Sequence, residues 1–485
     1  MQRGLIKMEN LPFRVLRTLF ILFCLAFNYG CSSSSNPLEL GLKTQDFKPE
    51  SPESWMLPNG MKVLYSYNNE LPVVTGTLYV RGGTLNDSLQ LKGLASACGS
   101  QMRSGGIQGM QPAQLDLLLD SMGASVESGF SSEYGSVSFS GLNDDFEKVF
   151  EIFSEVALRP AFDSERFSLW KKLSTSSISR RKDSPDTMAA MIFDQAIYGS
   201  NSVLGTFTTS SSVKRISRQD LQRWHRNFFV PEGSILTVSG NISKSRLAKA
   251  IEGRFSNWTA KSSISRDFPK ETDGFSPGIY LLEKDIEQAV VLVGHRGPKR
   301  HSSDRYPLHI FNLMFGYGSF DSLLFNEIRS KQGLAYTVYG GFSGDSVSGQ
   351  LQIYAGTRND QALKSVEEIL KLIEQSKAEE PAEERVQSAI SSASRNFVFK
   401  FATPDSVVTR AALLEMLGFP EGYNDNFISN IKSVTASEVF EVAQNRLKDQ
   451  FVIVVVGNLT AEQLRERFRG KMPVNKVEFK EIPVF

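Results

Sequence analysis

The run Ile235-Leu236-Thr237-Val238-Ser239-Gly240-Asn241 returns later in the chain as Val452-Ile453-Val454-Val455-Val456-Gly457-Asn458. Each copy is an apolar strand run closed by a Gly-Asn turn, and 457−240 sets the offset at 217 residues. A helical stripe repeats at the same distance: Phe146, Val149 and Phe153 match Leu363, Val366 and Leu370, because 363−146, 366−149 and 370−153 are each 217. A polar-capped helix precedes each strand copy, from Ser217 and from Thr435, and another follows, around 243–255 and 461–468. Unrelated segments do not keep one offset four times. The chain therefore reads as two homologous α+β domains, at 51–258 and 279–485, joined by a polar linker at 259–278.

Local patterns fill in each half. Met61, Val63 and Tyr65, then Val74, Gly76, Leu78 and Val80, alternate as strands do, and Asn68-Asn69-Glu70-Leu71-Pro72 between them predicts a hairpin. Asp144 and Asp145 are expected to cap the helix that begins at Phe146. Strands with helices around them predict, in each half, a sheet covered by helices on one face.

Composition then excludes whole classes of function. Of 485 residues, 41% are hydrophobic and 22% charged, as in a folded globular chain. Lys and Arg number 54 against 53 Asp and Glu, a net charge of +1, which argues against nucleic-acid binding. Three Cys exclude a disulfide scaffold and a multi-thiolate metal site. Only four His are present, His225, His295, His301 and His309, so the first 224 residues offer no imidazole to a metal.

The amino terminus reads as an address. Arg3, Lys7, Arg14 and Arg17 precede the apolar run Leu19–Phe27, which is too short to span a bilayer but suits the core of a secretory signal over residues 1–30. Gly30-Cys31 followed by four serines resembles a bacterial lipoprotein processing site. The resemblance implies a lipid on Cys31, a serine-rich tether over 31–50, and a body facing the periplasm of a bacterial cell envelope. Loss of residues 1–30 removes four basic side chains and Glu9, taking the net charge from +1 to −2 (50 against 52). Cys98 is then the one unmodified thiol, expected to be buried and inert.

Several segments resemble the pitrilysin/insulinase family of zinc metallopeptidases, which includes the mitochondrial processing peptidase subunits. They are Leu57-Pro58-Asn59-Gly60-Met61-Lys62-Val63, Arg81-Gly82-Gly83-Thr84, Gly93-Leu94-Ala95, Phe325-Asn326-Glu327-Ile328-Arg329-Ser330-Lys331-Gln332-Gly333-Leu334-Ala335-Tyr336, and Gly457-Asn458-Leu459. The resemblance spans roughly 55–470 and implies two processing-peptidase-like domains, each a mainly antiparallel sheet covered by helices. In active members His-x-x-Glu-His directly follows Gly-Leu-Ala: two His one helical turn apart hold Zn²⁺, the Glu polarises its water, and a distant Glu completes the ligands. Here those positions are Ser96-Ala97-Cys98-Gly99-Ser100, and counting back from Asp183-Ser184-Pro185 puts Ser177 in the distant Glu position. Serine hydroxyls are poor zinc ligands and glycine is no base. His225, in Trp224-His225-Arg226, reads as a surface or packing residue. His295 reads as a strand end, and His301 follows the basic loop Gly297-Pro298-Lys299-Arg300, so no replacement metal set is legible.

The second half keeps its motif. In the family the Arg and Tyr equivalent to Arg329 and Tyr336 contact the substrate backbone near the zinc of the facing half, and a guanidinium with a phenol can hold a developing oxyanion. Taken alone, Arg329 could equally pair with Glu327 on the surface, and Tyr336 could pack in a strand. Zinc-less members of two-subunit peptidases supply the Arg/Tyr pair while a paralogue carries zinc. The expectation is that no cofactor sits on this chain, that zinc sits on such a partner, and that extended peptides bind by strand addition. The rival expectation is a non-enzymatic peptide- or protein-binding scaffold of the cell envelope, and a third is a hydrolase with an unrecognised site.

Overall fold

The structure is a computed structural model that describes residues 47–270, 274–317 and 320–484. The leader, Cys31 and residues 31–46 of the tether lie outside the described residues. The two duplicated runs become central strands because their side chains are apolar on both faces. Ile235–Gly240 and Val452–Gly457 are buried along almost their whole length.

In the first half the strands are β1 (Glu53–Met56), β2 (Lys62–Tyr67), β3 (Val73–Arg81), β4 (Ser125–Phe130), β5 (Tyr134–Leu142) and β6 (Ile235–Gly240). In the second they are β7 (Gly278–Glu283), β8 (Gln288–Gly297), β9 (Ala335–Gly344), β10 (Gly349–Arg358), β11 (Val452–Gly457) and β12 (Val474–Lys476). The sheet orders are β1-β2-β6-β3-β5-β4 and β12-β7-β11-β8-β10-β9. Apart from the outermost β1 and β12, the two orders are the same. Pairing is mainly antiparallel; β2 with β6, and β7 with both β11 and β12, are parallel. The duplication and the α+β class are both present.

The hairpin expected across residues 68–72 does not form. β6 lies between β2 and β3, parallel to the first and antiparallel to the second. A strand apolar on both faces gains most in the sheet interior, and the short turn spans it. The cap expected from Asp144 and Asp145 also differs. These residues end a 3₁₀ turn, and Asp145 makes no side-chain cap. Arg246 instead binds Asn143 and Glu147 there.

The helices of the first half are α1 (Leu94–Ser104), α2 (Pro112–Ser121), α3 (Phe146–Leu158), α4 (Ser164–Ser179), α5 (Pro185–Tyr198), α6 (Ser210–Arg215), α7 (Arg218–Phe228) and α8 (Lys244–Phe255). Those of the second are α9 (Arg305–Phe315), α10 (Ala362–Ala378), α11 (Glu383–Val398), α12 (Pro404–Met416), α13 (Tyr423–Lys432), α14 (Ala436–Arg446) and α15 (Ala461–Arg467). The polar caps repeat as read: Ser217 with Asp220 closes a capping box on α7, and Thr435 with Glu438 closes one on α14. Each half buries its own core between sheet and helices. In the first, Phe139, Phe146, Phe150, Phe153 and Phe255 interlock, each ring contributing roughly 2–3 kcal/mol through burial.

The opposite sheet faces are covered too, by an exchange. Met188, Ile192, Phe193 and Ala196 of α5 pack on Tyr280, Leu292 and Val454 of the second sheet. Val408 and Ala412 of α12 pack on Leu64, Tyr79 and Ile235 of the first. Each half thus lends one helix to the other, and the two cannot separate without exposing both apolar faces. Glu133, in the β4–β5 turn, adds a polar tie: it takes a bidentate hydrogen bond from Arg300, with Nη1 to Oε1 at 3.0 Å. Phe47, at the start of the described chain, packs against Phe397 and Phe401 of the second half.

Candidate functional site

Helix α1 starts at Gly93, whose φ of 99° is left-handed and whose missing Cβ leaves room for Thr208. Asp87 fills the helix N-terminus, accepting from the backbone N–H of Gly93 at 2.8 Å and of Ala95 at 2.9 Å. Burial pushes its carboxyl up to about 6 against the pull of those two bonds. The apolar side of α1, Leu94, Ala95, Ala97, Cys98 and Met102, faces the core. Cys98 is fully buried with its thiol directed at the Leu221 carbonyl, and burial pushes its pKa up, so it is not a reactive thiolate.

Ser96 is exposed and Ser100 half-buried on the open side of α1. Ser177 is exposed on α4, which packs against α1. The helices that would carry a zinc site are therefore paired, with hydroxyls at the ligand positions. Gly99 is the decisive residue. A Cβ on it would lie 2.8 Å from the backbone Cα and C of Gly129 and 2.9 Å from Phe130 N, so β4 fills the space a Glu would enter. Ser128 Oγ donates to Gly99 O at 2.6 Å and ties the strand to the helix at that point. These residues do not fit a zinc ion: three hydroxyls, no carboxylate or imidazole, and no room for the base.

The histidines are placed elsewhere, each in local packing. His225 is the packing residue of its two readings: its Nε2 lies 2.8 Å from Ala157 O, and burial lowers its pKa to about 4. His295 lies inside β8, with Nδ1 at 2.7 Å from Arg296 O and Nε2 accepting from Lys448 N at 3.2 Å. His301 Nε2 lies 2.8 Å from Leu417 O, and His309 packs edge-on against Phe427. Among the described residues no group of three or more His, Cys, Asp or Glu converges. Arg300 is not the free positive charge that its loop composition suggests, because Glu133 holds it.

The second-half motif forms a different kind of site. Residues Phe325–Lys331 make a π-helix, a geometry common at functional sites, anchored by buried Leu324 and Ile328. Gly333, at φ 62°, turns the chain into β9, and Leu334 N donates back to Ile328 O at 2.9 Å. This brings Arg329 and Tyr336 together. The guanidinium carbon stands 4.9 Å from the Phe325 ring centroid and 5.3 Å from that of Tyr336. The surface ion pair with Glu327 does not form, since Lys331 takes that carboxylate at 2.6 Å. Tyr336 is not packed either; it is 76% exposed. Half-buried Phe325, and exposed Phe320 edge-on to it at 5.1 Å, complete an aromatic platform. Residue spacing missed this role for Phe325, although its i, i+4 relation to Arg329 was a usable signal.

Each sheet also ends in a strand paired on one side: β4 in the first and β9 in the second. Side chains occupy part of both edges. Arg103 Nε donates to Val126 O at 3.0 Å while Asp116 holds the guanidinium. Asn312 pairs with both backbone groups of Phe342 at 2.8 Å.

Comparison with known proteins extends this picture. The family described as Insulinase (Peptidase family M16) matches residues 62–203, and that described as Peptidase M16 inactive domain matches 215–392. Over 402 residues the chain is 22% identical to the uncharacterized zinc protease YmxG of Bacillus subtilis, covering 82% of this chain and 96% of the relative. An uncharacterized zinc protease of Streptomyces coelicolor is 21% identical over 421 residues, with 84% and 90% covered. Among solved structures, a peptidase M16 inactive domain from Pseudomonas fluorescens superposes with a TM-score of 0.76 at 20% identity, over 85% of this chain and 98% of that one. A protease from Helicobacter pylori gives 0.74 at 18% identity, over 85% and 100%. The two-domain α+β architecture is shared with both.

Proposed function

The chain belongs to the insulinase family of peptidases, M16, and from that premise we propose that it is a zinc-less subunit supplying Arg329 and Tyr336 to a metalloendopeptidase whose zinc sits on a paralogous partner. One contrast carries this reading. The zinc positions are filled by Ser96, Gly99, Ser100 and Ser177, with β4 closed against Gly99, whereas Arg329 and Tyr336 stand exposed, the guanidinium set between the Phe325 and Tyr336 rings. A permanently charged guanidinium beside a phenolic donor suits a substrate carbonyl that gains negative charge in the transition state. Extended peptide would reach them by adding to a sheet edge.

Zinc analysis and a peptide-cleavage assay on the purified chain test the first part: neither metal nor turnover is expected. Coexpression with a zinc-bearing relative encoded in the same genome should restore cleavage. In that complex Arg329→Ala should lower kcat by more than roughly tenfold; unchanged turnover refutes the assigned role. A genome holding no relative with an intact zinc motif favours the scaffold reading. The lipid on Cys31 and the periplasmic location belong to the same proposal. Cys31→Ser should release the protein from membranes, and persistence in the membrane fraction would count against the anchor.

A further inference from the structure

Helix α4 has an outward face that neither the core nor the Arg329 site uses. Leu169 and Leu173, one turn apart, are 46% and 61% exposed. Lys172 on the same helix, and Arg180 and Lys182 just beyond its C-terminus, are exposed, and α6, packed beside α4, adds exposed Lys214 and Arg215. Among the described residues none of these five cations lies in an ion pair. Residues 164–183 hold six basic side chains against Glu165 and Asp183, in a chain whose totals are 54 and 53. The remaining three basic groups of that stretch are engaged elsewhere: Arg166 with Asp116, Lys171 with Lys214 O, and Arg181 with Thr208 O. Arg215 also donates to Gln90 O and Ser211 Oγ, at 3.1 and 2.9 Å. Isolated surface leucines are ordinary; two in one helical row, on a helix with exposed cations outside any ion pair, are not.

We propose that this face binds an acidic polypeptide segment with interspersed apolar side chains, its carboxylates meeting Lys172, Arg180 and Lys182 and its apolar groups covering Leu169 and Leu173. Charge complementarity sets the sign of the partner. The shape of the patch sets its class. Leu169, Leu173 and Ser177 form one i, i+4 row that runs into the α1–α4 pair, a track one helix wide that suits an extended chain better than a bilayer surface. The inference stands whether or not a zinc-bearing partner exists.

The probe is a short fluorescent peptide alternating Glu and Leu, titrated with the full chain carrying Cys31→Ser; a Lys/Leu peptide and phosphatidylglycerol vesicles serve as comparisons. The acidic peptide should bind and the basic one should not. Salt should weaken binding, and Lys172→Glu/Arg180→Glu/Lys182→Glu should weaken it at least about tenfold. Lys214→Glu/Arg215→Glu, on the neighbouring helix, gives an independent second variant with the same direction expected. Leu169→Ser/Leu173→Ser should weaken binding while leaving its salt dependence unchanged. Equal binding of both peptides, or indifference to both charge reversals, overturns the proposal. So does binding to the vesicles without binding to the acidic peptide.

Discussion

Replacement of Gly99 by alanine tests the claim that the zinc helix has been closed against its neighbouring strand. A methyl at this position would meet three backbone atoms of Gly129 and Phe130 at 2.8–2.9 Å. Backbone cannot rotate away as a side chain can, so α1 or β4 must shift. Overpacking of this kind costs about 1–3 kcal/mol. Separating the pair also weakens the bond from Ser128 Oγ to Gly99 O, worth about 1 kcal/mol. Alanine recovers up to about 1 kcal/mol of helix propensity over glycine. The crowding wins, leaving a net destabilisation of about 1–3 kcal/mol. In thermal unfolding Gly99→Ala should melt about 1–3 °C below wild type, while exposed Ser96→Ala should stay within about 0.5 kcal/mol. The same reasoning orders two attempts at restoring the site. Ser96→His/Ser100→His/Ser177→Glu should fold more stably than the variant that adds Gly99→Glu. A melting temperature for Gly99→Ala equal to or above wild type would refute the steric argument.

Other expectations follow from buried charges. His225, His295 and His309 are each held near a pKa of about 4 by burial, below the ordinary 6.5. Their folded pKa values are depressed, so the unfolded chain binds more protons between pH 6.5 and 4, and stability should fall as pH drops across that window. Burial raises Asp87 to about 6 and Asp194 to about 7, which opposes the trend with fewer groups. For fully buried His295 the loss approaches about 3 kcal/mol at pH 4; His295→Gln should flatten the pH slope of denaturant stability, and an unchanged slope would show that His295 does not titrate there. Glu133→Gln should cost about 3 kcal/mol by leaving Arg300 half-buried without its charge partner. Adding Arg300→Met should then cost less than the sum of the two single changes, and strict additivity would dissolve the proposed tie between the halves.

Much of the fold was legible because duplication repeats a pattern of burial. The apolar runs at 235 and 452, the caps at Ser217 and Thr435 and the Phe stripe on α3 each state a local preference that tertiary packing satisfies rather than overrides. The hairpin across 68–72 failed for the opposite reason. Its turn chemistry is local, but strand neighbours are chosen by which run gains most from the sheet interior. The winning run is β6, whose Leu236 lies 168 positions beyond Asn68 (236−68) and reaches β2 and β3 only in the folded chain. For the candidate site, the residues standing at the expected ligand positions were readable position by position. That Arg329 also leans on Tyr336, and that Glu327 prefers Lys331, required coordinates, since i, i+2 and i, i+4 partners compete on one short helix.

The residues themselves determined which side chains occupy the expected ligand positions: three hydroxyls and a glycine, and no conformation turns them into imidazoles or carboxylates. They also determined the duplication, because equal offsets survive in the chain whatever its shape. Tertiary structure alone decided that β4 sits within contact distance of Gly99, that α5 and α12 are exchanged between sheets, and that Glu133 holds Arg300. Those are contacts between segments far apart in sequence. Composition and periodicity report the environment a residue needs, whereas the neighbour that provides it is chosen by the packing of the whole chain.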